Sequence, residues 1–279
     1  MVGMSHGFDV PAYLKRIGYD GTLVPSLDTL DALAAAHLRS IAFENLTPLM
    51  GRPVYDLGAD TLFDKMVHHA RGGYCYEQNG LFGSVLAELG FEVAARSARV
   101  VWMSPDGLDG PPSAKTHQLL AVRIPGDQHR YLVDVGFGGQ TPTSALRFVH
   151  DEVQQTRHEP YRLRGHGGEH VLETLIADQW RPIYVFADRP VPLIDLQVGS
   201  WYVSTHPESH FVTGLSVAMA TDEARWNLGG RHLSVHHRDG RTDKTELRNA
   251  SEVLGVLMNT FGLDVGGLGD VHKRITEVI

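Results

Sequence analysis

The chain contains one cysteine, Cys75, and it stands in the run Arg71-Gly72-Gly73-Tyr74-Cys75-Tyr76-Glu77-Gln78-Asn79-Gly80. A lone cysteine is most often a small buried hydrophobe. It becomes a nucleophile when its thiolate is favoured and a base stands nearby. Two glycines precede Cys75. An apolar pattern then begins, with Leu81, Phe82, Val85, Leu86 and Leu89 spaced three and four apart and Gly90 as a stop. That spacing predicts a helix starting at or just before Cys75, where free N–H groups and the positive helix end favour a thiolate. A base and an orienting acid complete such a site. His117 opens an apolar run, and Asp134 closes the next one. In the order Cys, His, Asp, the imidazole takes the thiol proton or holds it as an ion pair. The carboxylate fixes the tautomer and stabilises the imidazolium. The chain has sixteen histidines, so order alone does not single out His117.

The elements that must position these three change character along the chain. Up to Gly90 the pattern is helical. Asp9 reads as an N-cap with Pro11 in the first turn, Ser26 or Asp28 starts a second helix, and Asp60 a third with a stripe of Leu62, Phe63, Met66, Val67 and Ala70. Between the last two, residues 41–48 are irregular, and Phe43 and Asn45 there fit a packed loop or a pocket wall equally. After Gly90 the period changes to two. Strands are predicted at 91–102, 117–124 and 130–135, the last two as a hairpin around Pro125-Gly126-Asp127-Gln128. More follow at 161–163, 170–176 and 181–186, a frequency of short strands that suggests a barrel or sandwich. A helix is expected from Pro192 through Trp201, then strands at 211–218, 232–237 and 244–247. Asn249 with Glu252 reads as a capping box for a last clear helix, and Asp270 as the start of a short final one.

Composition narrows the partners. The formal net charge is −8, which argues against nucleic acid or an anionic membrane surface while leaving room for a local basic pocket. One cysteine forms no internal disulfide, residues 1–9 lack a signal-peptide pattern, and no apolar run reaches spanning length, so a cytoplasmic, soluble protein is expected.

The cysteine block resembles the active-site signature of the arylamine N-acetyltransferases. The resemblance continues in family order through Phe43-Glu44-Asn45-Leu46, Thr116-His117, Val133-Asp134-Val135-Gly136-Phe137-Gly138 and Ser200-Trp201-Tyr202-Val203-Ser204-Thr205. Ala42 departs from it, since the family usually has Pro before the Phe; that touches loop stiffness only. The resemblance implies an α+β fold in three parts: a helical bundle at 1–90 carrying the nucleophile, an antiparallel β-barrel at 91–190 carrying His and Asp, and an α/β lid at 191–279. The first two parts would form a core like that of cysteine proteases and transglutaminases. It also implies ping-pong acetyl transfer from acetyl-CoA, as acyl-donor co-substrate, to an arylamine, hydrazine or N-hydroxyarylamine. Cys75, His117 and Asp134 would be catalytic, with no metal. The same triad would equally serve an amide synthase or a cysteine hydrolase, and a binding module that kept only the fold is a further alternative.

Lesser signals gain a role only through the resemblance. Gly136-Phe137-Gly138-Gly139 reads as a tight turn, and the family uses it beside the CoA pyrophosphate. Phe43, Phe137 and Phe211 are either core or walls of an arylamine slot. Thr205, in a polar loop with His206, Ser209 and His210, is placed near the CoA channel; Pro207 and the lack of a third ligand speak against a metal there. His236 falls near where CoA would enter the cleft, or is one of an exposed pair with His237. Arg71 is expected to hold its loop by hydrogen bonds. The acceptor amine, the acyl length and the oligomeric state are left open, a homodimer included.

Overall fold

The structure, a computed structural model, describes residues 8–279. Most of the stretch read at 1–9 for a signal peptide therefore lies outside the described residues. Helices α1 (Val10–Ile17) and α2 (Leu27–Ser40) begin where side-chain oxygens can take the unpaired N–H groups of a first turn. Asp9 accepts from the Ala12 N–H, and Ser26, not Asp28, caps α2 by accepting from Thr29. The irregular segment resolves into β1 (Phe43–Glu44) and one turn of helix, α3 (Leu46–Leu49). The predicted third helix differs: α4 (Ala59–Phe63) follows Gly58, and a π turn at Asp64–His68 replaces its second half. There the His69 N–H reaches the Asp64 carbonyl, five residues back, a wider turn that shifts the apolar stripe off helical phase. Helix α5 (Cys75–Glu88) has Cys75 as its first residue, as the pattern predicts.

Strands β2 (Glu92–Val100), β3 (Lys115–Arg123), β4 (Arg130–Val133), β5 (Leu146–Arg147), β6 (Tyr161–His166), β7 (Glu169–Ile176) and β8 (Gln179–Phe186) form one antiparallel sheet in the order β5-β4-β3-β2-β8-β7-β6. Bridges from His150 to Leu163 and from Gln154 to Tyr161 nearly close it into a barrel. Its interior is apolar, with Leu119, Leu132, Leu172 and Phe186 buried inside.

Helices α6 (Leu193–Thr205) and α7 (His210–Thr213) lead into β9 (Ser216–Ala220), β10 (Ala224–Gly229), β11 (His232–His237) and β12 (Thr242–Glu246), then α8 (Ala250–Asn259) and α9 (Val271–Val278). Two expectations are corrected here. The strand read at 211–218 splits, because Ser209 caps a short helix that carries Phe211. Strand β10 was not predicted; Arg225, Asn227 and Gly229 break its apolar pattern, yet it is the middle strand of the sheet β1-β9-β10-β11-β12. The capping box of α8 is half made: Asn249 accepts from Glu252, but Glu252 reaches back to the Arg248 N–H, one residue early. Strand β1 pairs with β9, Phe43 opposite Ala218, which brings the segment before the cysteine against the C-terminal sheet.

One buried chain of hydrogen bonds ties the helices beneath α5. Tyr13 Oη donates to His37 Nδ1 at 2.7 Å, His37 Nε2 donates to Gln78 Oε1 at 2.6 Å, and Gln78 Nε2 donates to the Ala42 carbonyl at 2.8 Å. Burial lowers the His37 pKa to about 4, against a raising bond from Gln78. The unfolded chain takes this proton near 6.5 and the folded one near 4, so stability is whole above 6.5 and declines as pH falls through that window. The expected loss is about 3 kcal/mol by the lower end. Urea unfolding at pH 7.5 and 5 should show it in the native protein and not in His37→Gln; equal slopes would refute it.

Candidate active site

Cys75, His117 and Asp134 come together although they sit on three separate elements. Asp134 lies one residue past β4. The register pairs Leu120 with Val133, so Asp134 faces the level of Leu119, not that of His117. The imidazole spans this offset: His117 Nε2 is 2.7 Å from Asp134 Oδ2. That leaves Nδ1 for Cys75, whose sulfur helps raise the pKa of the ring and lies 3.5 Å from the Thr116 carbonyl. All three residues are at most 3 % exposed.

The electrostatics follow from burial and pairing. Burial alone would drive the His117 pKa down. The Asp134 charge, its hydrogen bond and the Cys75 sulfur outweigh that and carry it up to about 10. For Asp134, burial would raise the carboxyl. His117, together with donors from Asn79 and the Gly136 N–H, holds it below the usual carboxylate range. The arrangement therefore stores a proton on the imidazole beside the sulfur at neutral pH.

Asn79 was not singled out from the sequence as a site residue, and the structure gives it a central place. Its Nδ2 donates to Asp134 Oδ1 at 3.0 Å and to the Gln118 carbonyl at 2.7 Å, and its Oδ1 accepts from the Val135 N–H at 3.0 Å. One amide thus fixes the carboxylate and the β4 end to the helix that starts with the cysteine. The available signal was its place one helical turn after Cys75, on the same face. Tyr184, from β8, carried no such signal. Its ring lies 4.9 Å from that of His117 at 33°, its hydroxyl lies near Asp134, and its burial keeps water from the imidazole. Gly136 is required sterically: a Cβ there would fall 2.8 Å from Cys75 Cα.

The sulfur and imidazole open into a cleft of about 630 Å³. Phe43, Phe137 and Phe211 all line it, as do Gly136 and Gly139, while Gly138 packs against the Phe43 ring. Phe43 and Phe211 meet edge to face at 5.9 Å, and Phe137 meets His117 at 5.2 Å. Asn45 holds the slot together, donating to the Phe211 and Gly214 carbonyls and accepting from the Ser216 N–H. Trp102, Tyr202 and His206 complete the wall; none was singled out as a wall from sequence. Thr205 ends α6 with its hydroxyl on the Trp201 carbonyl at 2.7 Å, and its neighbour His206, not Thr205, faces the cleft. His236 stands in a second cleft of about 990 Å³, which shares Trp102 and Gln140 with the first and gathers Arg181, His237, Arg238 and Lys244. Arg71 does hold its loop, through two donors to Glu44 Oε1 at 2.6 and 3.0 Å.

Among the described residues, no three His, Cys, Asp or Glu side chains gather as a metal site, and no helix is long and apolar enough to cross a membrane.

Comparison with known proteins yields one consistent result. A family model described as N-acetyltransferase matches residues 26–269. An arylamine N-acetyltransferase of Mycolicibacterium smegmatis is 57 % identical over 97 % of this chain and 98 % of its own length. A solved M. smegmatis arylamine N-acetyltransferase covers the same shares with a TM-score of 0.93. The Mycobacterium marinum arylamine N-acetyltransferase solved in complex with CoA is 52 % identical, covers 97 % of this chain and 99 % of its own, and also has a TM-score of 0.93.

Proposed function

The chain belongs to the arylamine N-acetyltransferase family, and from that premise we propose that it moves an acetyl group from acetyl-CoA to an arylamine, arylhydrazine or related amine through an acetyl-Cys75 intermediate. The observation that carries this reading is the ion-pair geometry of Cys75, His117 and Asp134 at the inner end of an aromatic cleft. In the first half-reaction the sulfur attacks the thioester carbonyl. The bond to the CoA sulfur breaks, and His117 gives its proton to the departing thiolate. In the second half the amine attacks acetyl-Cys75, its proton passes to the now neutral imidazole, and the cysteine thiolate leaves. The ion pair is restored, and no bond or proton is left over. Thioester-for-thioester exchange is nearly balanced in energy, so the acyl group is stored in a reactive form that a weakly basic aryl amine can attack. The Cys75 N–H, at the first position of α5 where no intrahelical acceptor is available, would stabilise the oxyanion.

The two clefts fit a long donor. With the acetyl end at Cys75, the pantetheine arm passes the 136–139 turn and the phosphates reach the second cleft, where Arg181, Arg238 and Lys244 supply positive charge in an otherwise acidic protein and His236, whose pKa burial lowers, offers a neutral imidazole. Phe43, Phe137 and Phe211 would take the acceptor's ring by edge and face contact. Incubation with acetyl-CoA should add roughly 42 Da, one acetyl for one hydrogen, to Cys75, and an added arylamine or hydrazine should remove it as the N-acetyl product. No mass gain would overturn the reading. Discharge by water at the same rate with or without amine would make the protein a hydrolase.

A further inference from the structure

Among the described residues Arg225 is the largest fully buried side chain, and the chemistry above makes no use of it. It stands on β10, cross-strand from His236, with its guanidinium turned toward the barrel. Its Nε donates to Glu159 Oε2 at 2.8 Å, and Nη2 lies 2.7 Å from the same oxygen. Nη2 also reaches the Tyr161 hydroxyl at 3.3 Å, and Nη1 the Gly139 carbonyl at 3.4 Å. The Tyr161 hydroxyl in turn donates to the Gln140 carbonyl at 3.1 Å. One planar fork thus joins three pieces of chain distant in sequence: the C-terminal sheet, the strand entrance at Glu159, and the backbone of residues 139–140.

That backbone is the far end of the 136–139 turn. Its near end is fixed by the reacting groups: the Gly136 N–H donates to Asp134 Oδ1 at 2.9 Å, and Gly136 lies flat on Cys75. Its far end is held from the C-terminal sheet by Arg225, and Asn227 packs close beside it, so that a Cβ on Gly139 would fall 2.6 Å from Asn227 Oδ1. The joint also lies between the two clefts. Gly139 and Gln140 line the first; Gln140, Glu159 and His236 line the second.

We propose that Arg225, anchored by Glu159, is a positioning residue for the acyl donor: it sets the 139–140 backbone so that a donor spanning both clefts lies with its thioester against Cys75. The inference rests on the acetyl-CoA reading above. A lysine cannot replace the fork, because one ammonium on a flexible stem cannot serve Glu159, Tyr161 and Gly139 together. A small donor such as 4-nitrophenyl acetate touches only the inner cleft and does not depend on the joint.

Arg225→Lys and Glu159→Gln are compared with the unaltered full chain in single-turnover acetylation of Cys75, using acetyl-CoA and 4-nitrophenyl acetate in parallel. In Arg225→Lys the half-saturating acetyl-CoA concentration should rise about tenfold, while the maximal rate and the rate with 4-nitrophenyl acetate change less than about twofold. Glu159→Gln, on a partly exposed residue, should shift acetyl-CoA in the same direction by about threefold, and it decides the matter alone if Arg225→Lys does not fold. Equal losses on both donors, or no shift with acetyl-CoA in a folded variant, would overturn the positioning role. Failure of acetyl-CoA to acetylate the unaltered chain would instead overturn the donor reading on which it rests.

Discussion

Asp134→Asn is expected to slow acetylation of Cys75 by about three to four orders of magnitude while leaving the fold in place. The reason is the tautomer, not the loss of a contact. Asp134 Oδ1 accepts from both Asn79 Nδ2 and the Gly136 N–H, so the substituted amide must keep its oxygen on that side. Its NH₂ then points at His117 Nε2, which sits 2.7 Å from the present Oδ2. A donor there forces Nε2 to accept, and the single ring proton moves to Nδ1, facing the sulfur. The imidazole becomes a donor to Cys75 where the reaction needs a base.

The charge balance shifts in the same direction. Burial is the largest influence on His117 and lowers its pKa; the Asp134 charge is the main influence against it. With the charge gone, burial prevails and His117 is neutral at pH 7. In the native protein the imidazole keeps its proton until pH approaches about 10, a positive charge beside the sulfur, so iodoacetamide should alkylate Cys75 faster at pH 7 in the native protein than in the variant. In Asp134→Asn the rate at neutral pH should be low and rise steadily toward alkaline pH, as an unassisted thiol does. A variant within tenfold of the native rate, with a flat alkylation profile, would show that Asp134 neither orients nor charges the imidazole.

Much of this site is legible in the sequence because its parts are local. Glycines before an apolar helical pattern place Cys75 at a helix start, and a change of period after Gly90 puts His117 on one strand and Asp134 at the end of its neighbour. What the sequence does not show is set by pairing between distant segments. The two-residue offset between His117 and Asp134 depends on the β3–β4 register. Tyr184 reaches the imidazole only because β8 pairs with β2. Strand β10 escapes a period-two reading because its polar residues are buried by partners elsewhere: Arg225 by Glu159, 66 residues away. Phe211 lies where a strand was expected, on a one-turn helix fixed by the Ser209 cap and by Asn45. The Glu44-Asn45 pair is irregular by pattern because each side chain bonds backbone or charge beyond its own segment.

The same distant pairing sets the second large effect, at Arg71. Glu44 is wholly buried; its Oε1 takes two donors from Arg71 and its Oε2 takes the Leu46 N–H at 2.6 Å. Lys65 stands 4.0 Å from Glu44 and 2.6 Å from Glu77, whose other oxygen accepts from the Tyr74 N–H just before the cysteine. Two cations and two carboxylates are therefore enclosed beneath the start of α5. Burial already raises Glu77, Lys65 opposes that, and Glu44 adds to it, so Lys65 has no charge to spare. Arg71→Leu leaves Glu44 buried without its main partner, a change expected to cost about 3–5 kcal/mol and to lower the midpoint of thermal unfolding by about 10 °C. The double variant Glu44→Gln with Arg71→Leu should recover part of this, since no unpaired charge remains. Acid should narrow the deficit of the single variant. In the native protein Arg71 and Lys65 outweigh burial and hold Glu44 low; without Arg71, burial prevails, and the carboxyl takes a proton above its usual range as pH falls. Thermal unfolding of the native protein and the two variants at pH 5 and 7.5 checks both points. A loss in Arg71→Leu below about 1 kcal/mol, or a deficit that grows on acidification, would mean that water, not Arg71, satisfies Glu44.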